Sequence, residues 1–290
     1  MPLDPCSIVI LAHNGADFTE TCFDSLLSGG ELPGCLLFVD NGSTDRTPDL
    51  IDTYRHRFAQ AGVTFITWRN AENKGCSLAR NEAWQRVETP YTVFLDNDTA
   101  VRSRSWLSGL QTVFETHRDT ALVGPKIVYP YKPHPIQCAG VSISPLGRIC
   151  FRGRGRACNH SRFARSQPVH ALISACWMMR TDLRDSVGYL DELFHPVQYE
   201  DLDLCLRARR AGYEVRYEAD VEMYHFEGIT TASFGQEEYR RTIARNSLKF
   251  RERWHEMYRG FEEVEPAEAY RWRRRDELGL TPELDLALIQ

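Results

Sequence analysis

Residues 91–98 read Tyr91-Thr-Val-Phe-Leu-Asp-Asn-Asp98, and this stretch decides the fold. A short, largely apolar run leads directly into two carboxylates that are separated by one residue. Such a run is typical of a strand in a parallel sheet whose two faces are both covered. In open α/β sheets, ligands bind at the carboxyl ends of the strands. The stretch therefore predicts an α/β fold and also the position of its binding site.

The sequence on either side alternates between apolar runs and helical spacings. Three further strands are predicted at Ser7–Ala12, Leu36–Val39 and Val63–Trp68. Helical patterns separate or follow them at Phe18–Leu26, Thr44–Gln60, Leu78–Val87 and Trp106–Phe114. This alternation predicts a Rossmann-like, mostly parallel central sheet with helices on both faces.

After residue 120 the pattern changes. The segment Pro125–Pro168 is rich in proline and glycine, which predicts short strands and loops. Further elements are predicted as a strand at Ala171–Met179, a helix at Asp201–Ala211 and a short strand at Val221–Phe226. The stripe from Ile243 to Phe261 predicts a helix docked on the core, with a membrane-lying helix as the alternative. We expect one domain over 1–235, in halves 1–100 and 120–235, and a C-terminal helical extension over 236–290.

Composition is that of a globular protein. The chain has 290 residues, 42% of them hydrophobic and 26% charged. No apolar run approaches the roughly 18–20 residues of a membrane helix, and no secretory signal is visible. The nine cysteines form no CxxC pair and lie mostly in apolar segments, as buried free thiols do. These features predict a cytoplasmic protein.

Charge is unevenly distributed along the chain. The net charge of -5 disfavours a general nucleic-acid binder. The segment Thr120–Thr181, however, contains no acidic residue and nine lysines and arginines. This asymmetry points to an anionic ligand. The alternative is a basic segment that is paired with acidic groups elsewhere.

Two acidic clusters directly follow predicted strands. Asp40-Asn-Gly-Ser-Thr-Asp45 follows Leu36–Val39 and fits either a nucleoside contact or a plain turn, with Ser43 or Thr44 capping the next helix. Asp96-Asn-Asp98 follows Tyr91–Leu95. Two carboxylates at this spacing can meet a divalent cation and a sugar hydroxyl together, and Mg²⁺ and Mn²⁺ prefer oxygen ligands.

A third acidic cluster begins a predicted helix. Glu200 and Asp201 lie where the helix dipole favours carboxylates. Ordinary enrichment of acids in a first helical turn is the alternative, with Asp203 and Arg207 forming an i,i+4 pair. Two further features support a site: Asn73–Asn81 places Gly75 at a helix start suited to an anion, and His225 follows a predicted strand.

In order and content these motifs resemble glycosyltransferase family 2, the inverting transferases with a GT-A fold. The resemblance covers about residues 6–235 and is closest to bacterial rhamnosyltransferase-like members. It runs through Ser7–Asn14, Val39–Asp45, Asn73–Gly75, Ala79–Asn81, Phe94–Asp98, Ser174–Arg180, Gly188–Glu192, Tyr199–Arg207, Ala211–Tyr213 and Tyr224–His225.

The resemblance implies a role for each matching residue. The half 1–100 would bind a nucleotide-diphosphate sugar through Ala12, Asn14, Asp40, Asn73, Gly75, Arg80, Asp96 and Asn97. Among these, Asp40 would hold the nucleobase and Asp96 the ribose. Asp98 and His225 would bind Mn²⁺ or Mg²⁺. Asp201 would be the general base, with Glu200 beside it.

The half 120–235 would face the acceptor, a glycan or lipid-linked glycan. We expect Trp177, Arg152, Arg154 and Arg156 to contact it, and the nine cations predict an anionic acceptor at the inner face of the cell membrane. Phe250-Arg-Glu-Arg-Trp254 lacks the glutamine of the QxxRW motif of processive synthases, so we expect a single addition in bacterial surface glycan assembly.

Three alternative functions each predict a sequence feature of their own. A sugar-1-phosphate nucleotidyltransferase needs a glycine-rich basic loop after its first strand, where this chain has His13-Asn-Gly-Ala-Asp17. A dinucleotide oxidoreductase needs GxGxxG at that place. A catalytically inactive nucleotide-sugar or glycan-binding module is expected to lose Asp98 or Asp201, and both residues are present.

Overall fold

The structure is a computed structural model that describes residues 5–228, 235–262, 275–281 and 283–289. Its strands are β1 Cys6–Ala12, β2 Cys35–Asp40, β3 Thr64–Arg69, β4 Tyr91–Asp96, β5 Thr99–Val101, β6 Thr120–Val128, β7 Ile136–Cys138, β8 Val141–Ile143, β9 Ile149–Phe151, β10 Gln167–Pro168, β11 Cys176–Arg180 and β12 Glu214–His225. Its α-helices are α1 Ala16–Ser28, α2 Thr47–Gln60, α3 Cys76–Trp84, α4 Trp106–Thr116, α5 Leu183–Val187, α6 Glu200–Arg210 and α7 Gln236–Tyr258.

The central sheet has the order β10-β12-β6-β11-β4-β1-β2-β3. Strands β1 to β4 are parallel, and β6 and β12 are parallel to each other. Strand β11 lies between β4 and β6 and is antiparallel to both. The carboxyl ends of β4 and β12 therefore lie on the same edge, which brings the residues after them together.

Helices cover both faces of this sheet, as predicted. In the strand register Ile10 is level with both Phe38 and Leu95, so these three side chains share one face. On that face Phe23 of α1 packs against Phe38, with ring centroids 5.1 Å apart. Phe94 points the other way and meets Trp84 of α3 at 5.7 Å. The mostly parallel α/β prediction is confirmed, and all nine cysteines are free.

Some boundaries differ from the predictions. Helix α2 begins three residues later than predicted, because the Asp45 carboxylate accepts hydrogen bonds from the amides of Ala16 and Thr47 and holds the preceding turn. Strand β6 passes through Pro125 inside the segment predicted as short strands and loops. Proline lacks an amide hydrogen, and the register with β12 shifts directly after Pro125, between Glu218 and Glu222.

The described residues of the C-terminal segment form α7 and some shorter structure. After α7, residues 275–278 form one 3-10 turn. Leu284 and Ile289 then form isolated bridges with Tyr131 and Ser103 at the edge of the domain. No helix in the described part of the chain is both long enough and apolar enough to cross a bilayer.

Candidate active site

One large cavity opens at the carboxyl edge of the sheet. Its volume is about 770 Å³. The loops after β4 and β12, the starts of α3 and α6, the β8–β9 hairpin and part of α7 line it. The predicted site residues on its wall are Asn73, Gly75, Arg80, Asp96, Asn97, Asp98, Arg154, Glu200, Asp201 and His225. Residues from both halves of the domain therefore meet in a single cavity.

Asp96, Asp98 and His225 form a compact cluster on this wall. Their ligand atoms all lie within 4.8 Å of one another. The Nε2 atom of His225 is 3.2 Å from Oδ1 of Asp98 and 3.9 Å from Oδ2 of Asp96. Burial would lower the pKa of His225, but the neighbouring Asp98 and Asp96 carboxylates raise it to about 9.

The donors of this cluster fit a divalent cation. Two carboxylates and one imidazole suit Mn²⁺ or Mg²⁺, with places left for phosphate oxygens and water. The other ring nitrogen of His225, Nδ1, lies 2.6 Å from Oε1 of Gln137, which orients the ring. A partner of this kind is typical of a metal-binding histidine. The residues therefore fit the predicted metal site.

Arg80 joins the metal cluster to the third acidic pair. Its guanidinium is 2% exposed and contacts the Asp96 carboxylate. Nη1 also donates to Oγ of Ser174 at 2.7 Å. The Ser174 amide in turn donates to Oδ2 of Asp201 at 3.3 Å. A continuous polar chain thus links β4 to the start of α6.

Glu200 and Asp201 share this wall but have different environments. Burial raises the pKa of both carboxyls, and that of Glu200 is raised further because Asp201 lies beside it. Asp201 accepts backbone hydrogen bonds from Leu202 and Ser174, which favour its ionised form. Oε2 of Glu200 has no hydrogen-bond partner in the described structure. We therefore assign the proton to Glu200 and the charge to Asp201.

The turn before α6 is strained and is held in place by α7. Gln198 and Tyr199 both have φ near +80°. Asn246 of α7, which is fully buried, donates through Nδ2 to the carbonyls of Phe194, Val197 and Gln198 at 2.6–3.2 Å. The Phe250 ring packs against Tyr199 at 5.3 Å. Helix α7 thus fixes the start of α6, where Glu200 and Asp201 lie.

The loop before α3 fits closely against the same turn. Gly75 has φ +78°, and a Cβ there would lie 2.7 Å from Nδ1 of His195. The next amide, that of Cys76, donates to the carbonyl of Pro196. Asn41 holds the other side of the loop, since its Nδ2 donates to Oδ1 of Asn73 at 2.9 Å. The predicted helix-start position of Gly75 is therefore enforced by close contact.

Three predicted nucleotide contacts do not line the cavity. Ala12 and Asp40 are fully buried, and Oδ1 of Asp40 accepts from the Ser43 amide. The Asn14 side chain accepts from the amides of Thr44 and Asp45. Their neighbours Leu11, His13 and Asn41 are on the wall instead. Successive residues of a strand point to opposite sides, which explains why Leu11 rather than Ala12 lines the cavity. The roles of Ala12, Asn14 and Asp40 in nucleotide binding stay predictions.

The predicted acceptor contacts are mostly structural. Trp177 lies in β11, fully buried and stacked on Phe94. Arg152 is 4% exposed and donates to the carbonyl of Ala139. Arg156 is exposed but does not line the cavity. Trp177, Arg152 and Arg156 do not line the cavity, so nothing in this structure supports their predicted contact with the acceptor, which stays a prediction.

Arg154 does line the cavity, but it faces a carboxylate. Its Nη1 and Nη2 donate to Glu227 at 2.8 and 3.0 Å, and the Tyr129 hydroxyl donates to the same group at 2.7 Å. Burial would raise the pKa of Glu227, and Arg154 holds it below its usual value. The network anchors residue 227, two positions after His225. The Thr-Thr-Ala-Ser stretch that follows lies outside the described residues.

Several wall residues were missed from the sequence. Gln137, Asn41, Arg148 and Arg251 line the cavity but were not among the predicted site residues. The alternation of side-chain directions along β2 could have indicated that Asn41, the residue after Asp40, faces the cavity. The other three come from separate segments that only tertiary structure brings to the cavity.

The sequence has identifiable relatives. The family model described as Glycosyl transferase family 2 matches residues 7–188. The uncharacterized protein y4gI of Sinorhizobium fredii is 27% identical over 86% of this chain and 27% of its own length. The pre-mycofactocin glycosyltransferase of Mycobacterium tuberculosis is 29% identical over 58% of this chain and 33% of its own length. The putative teichuronic acid biosynthesis glycosyltransferase TuaG of Bacillus subtilis is 30% identical over 32% of this chain and 35% of its own. This chain thus spans about a third or less of these relatives.

Solved structures share the fold. GalNAc-T7 with UDP, GalNAc and Mn²⁺ aligns with a TM-score of 0.64 at 16% identity, over 83% of this chain and 47% of its own. The mannosyltransferase PcManGT of Pyrobaculum calidifontis, with GDP-Man and Mn²⁺, gives 0.59 at 13% identity, over 90% and 66%. Both are glycosyltransferases, and the sheet described above is their GT-A fold. With that fold in place and the family model matching more than half of its residues, the chain belongs to glycosyl transferase family 2.

Proposed function

We propose that this chain is a metal-dependent, inverting glycosyltransferase that moves one sugar from a nucleotide-diphosphate donor to an acceptor hydroxyl. One observation carries the proposal. A carboxylate suited to be a base, Asp201, and a cluster suited to a divalent cation, Asp96, Asp98 and His225, line the same cavity. Arg80 and Ser174 connect them through hydrogen bonds. Family membership supports the reaction class.

On the donor side, residues of the first half bind the nucleotide. Leu11, His13 and Asn41 line the part of the cavity next to β1 and β2, where we place the nucleobase. Asp96, held by Arg80, is placed to contact the ribose. Mn²⁺ or Mg²⁺ bound by Asp98, His225 and Asp96 would offset the charge that develops on the departing diphosphate.

On the acceptor side, Asp201 removes the proton from the attacking hydroxyl. Its raised pKa makes it a stronger base, and its two backbone hydrogen bonds keep it ionised. Glu200 holds its own proton and aligns the hydroxyl. We assign no residue as a nucleophile, so a single displacement inverts the anomeric centre.

The finer assignments rest on the resemblance and on the relatives. TuaG is named for teichuronic acid biosynthesis, which supports a role in bacterial surface glycan assembly. The acceptor would be a glycan or lipid-linked glycan at the inner face of the membrane. Non-processive transfer of a hexose or deoxyhexose, as in rhamnosyltransferase-like members, is part of the same proposal.

The test is a donor screen. Purified protein is incubated with UDP-, GDP- and dTDP-sugars, including a deoxyhexose donor, in Mn²⁺, in Mg²⁺ and in EDTA. We expect metal-dependent release of one nucleoside diphosphate. Proton NMR of the transfer product would then show the inverted anomer.

Two results would contradict this proposal. Full turnover in excess EDTA would remove the metal role. Tight donor binding without release of nucleotide, with any acceptor, would favour the inactive binding module.

A further inference from the structure

The nine cations of Thr120–Thr181 are largely occupied by partners within the molecule. Lys126 pairs with Glu222, and Arg154 pairs with Glu227. Lys132 lies within 4.0 Å of Glu283 and Asp285. Arg152 and Arg180 donate to backbone carbonyls. The charge count alone therefore does not identify an anion site.

Arg148 is an exception on the cavity wall. It is exposed at the end of the turn between β8 and β9, and its side chain has no partner among the described residues. Arg251 of α7 lines the same cavity, is also exposed and likewise has no side-chain partner in that part of the chain. Two exposed arginines without a side-chain partner among the described residues thus line one cavity.

Tyr258 links the backbone of Arg251 to the turn that carries Arg148. Its hydroxyl lies 3.5 Å from the carbonyl oxygen of Arg251, within α7. On the other side, a Cβ at Gly147 would lie 2.8 Å from Cζ of Tyr258. The residue before Arg148 and the backbone of Arg251 therefore contact the same aromatic ring. Gly147 has φ +72°, which fixes the turn in this position.

The position of this pair favours the acceptor over the donor. Arg251 follows Phe250, whose ring packs on Tyr199 directly before Glu200 and Asp201. Neither arginine belongs to residues 1–100, which supply the nucleotide side. The donor diphosphate already has the metal cluster. It also has Arg275 nearby, whose Nη1 lies 3.4 Å from the carbonyl oxygen of Phe226, the residue after His225.

We propose that Arg148 and Arg251 form a clamp for a phosphate group carried by the acceptor, next to the hydroxyl that Asp201 deprotonates. This inference rests on the proposed function. Guanidinium groups bind phosphate oxygens in pairs, and two arginines from separate elements can hold one phosphate from two sides. The phosphate could belong to a lipid diphosphate or to a phosphodiester in a glycan, which have the same chemistry at this site.

The experiment compares Arg148→Gln/Arg251→Gln with the wild type, using the donor found in the screen. Three acceptors are used: a sugar diphosphate with a short isoprenyl tail, a phosphodiester-linked glycan fragment without lipid, and the same sugar without phosphate. Arg165→Gln is the matched control, since Arg165 is exposed in the same acid-free segment and does not line the cavity.

We expect the KM for phosphate-bearing acceptors to rise about 3- to 10-fold for each arginine removed, since ion pairs at exposed positions are screened. The KM for the uncharged acceptor, donor hydrolysis and donor Kd should not change, and neither should the Arg165→Gln variant. Added salt should raise the KM of the wild type for phosphate-bearing acceptors more than that of the double variant. The two phosphate-bearing acceptors identify which source is used.

Three outcomes would overturn the clamp. An equal loss with charged and uncharged acceptors would make the arginines structural. A weaker donor Kd would assign them to the donor. Unchanged KM values for all three acceptors would leave them as surface residues. Donor hydrolysis in the wild type separates these outcomes from failure of the proposed function, because it requires no acceptor.

Discussion

The acids at the strand ends and the cations of residues 120–181 were both conspicuous in the sequence, but they behave differently in the structure. Asp96 and Asp98 at the end of β4 reach the cavity, where they meet Asp201 from the start of α6. Most of the cations instead meet carboxylates or carbonyls that come from distant parts of the chain. Strand ends converge because sheet geometry makes them converge. An excess of cations in one segment carries no such geometric constraint, since acidic residues from other parts of the chain can pair with them.

The strongest test of this contrast is Asp98→Ala. We expect transfer to fall at least 10³-fold, because a metal that stabilises the leaving group supplies several kcal/mol. Donor affinity in Mn²⁺ should fall as well, and calorimetry with Mn²⁺ alone should show weaker binding. Asp220→Asn, at an exposed position outside the cavity, is the control. Wild-type Mn²⁺ affinity in Asp98→Ala would remove this residue from the metal site.

Asp201→Asn tests the acidic pair at the start of α6. The substitution is nearly isosteric, so donor affinity should stay while kcat falls roughly 10²–10⁴-fold, the usual contribution of general acid–base catalysis. Glu200→Gln should lower kcat less than Asp201→Asn does, because we assign the proton to Glu200. The wild-type rate should decline as pH falls through the raised pKa of Asp201. A dead Glu200→Gln beside an active Asp201→Asn would reverse the two roles.

Arg154→Gln examines a cation with a structural partner. It would leave the largely buried Glu227 carboxylate without its ion pair, and we expect a loss of about 2–3 kcal/mol in unfolding free energy at pH 7. Because Arg154 holds the pKa of Glu227 below its usual value, the ion pair stabilises the fold above that usual pKa. The difference in unfolding free energy between Arg154→Gln and the wild type should narrow as the pH falls from the usual glutamate pKa through the lowered pKa of Glu227.

Arg156→Gln is the matched control for Arg154→Gln, two residues away and exposed. It should unfold at the same denaturant concentration as the wild type. Equal effects of the two substitutions, measured by urea denaturation, would contradict the distinction between paired and solvent-exposed cations.

The smallest expected effect concerns Glu200 and stability. Its pKa is raised in the folded state, so the folded protein holds this proton more tightly than the unfolded chain. The resulting stability is present below the usual glutamate pKa and is lost as pH rises through the raised value. The free energy of unfolding of Glu200→Gln should therefore depend less on pH between 5 and 8 than that of the wild type. Identical pH profiles for variant and wild type would place the proton elsewhere.

The sequence predicted those parts of the site that follow from local rules. Asp96, Asp98 and Glu200 stand next to elements that are recognisable from their spacing. Ala12 and Asp40 do not line the cavity, because a strand end predicted from sequence is uncertain by one residue and successive side chains face opposite ways. The burial of Trp177 could not be predicted from the sequence, since an aromatic residue is equally compatible with a position in the core and with a sugar contact.

The contributions of α7 could not be predicted for a different reason. Asn246 and Arg251 lie in an amphipathic helix, and periodicity shows only that one face is buried. The surface that this face meets depends on how residues 195–199 fold. That segment in turn is shaped by its contacts with α3 and α7, so no single window of sequence contains the information.

The contact between Gly75 and His195 has a consequence for redesign. The loop at 73–75 lies where we propose that the nucleotide binds, and the segment 195–199 leads to Asp201, the proposed base. Because no Cβ fits between them, the two segments form one modular unit. A graft that replaces either segment with that of a homologue must therefore replace both. Otherwise a side chain introduced at position 75 will displace residues 195–199, and Asp201 with them.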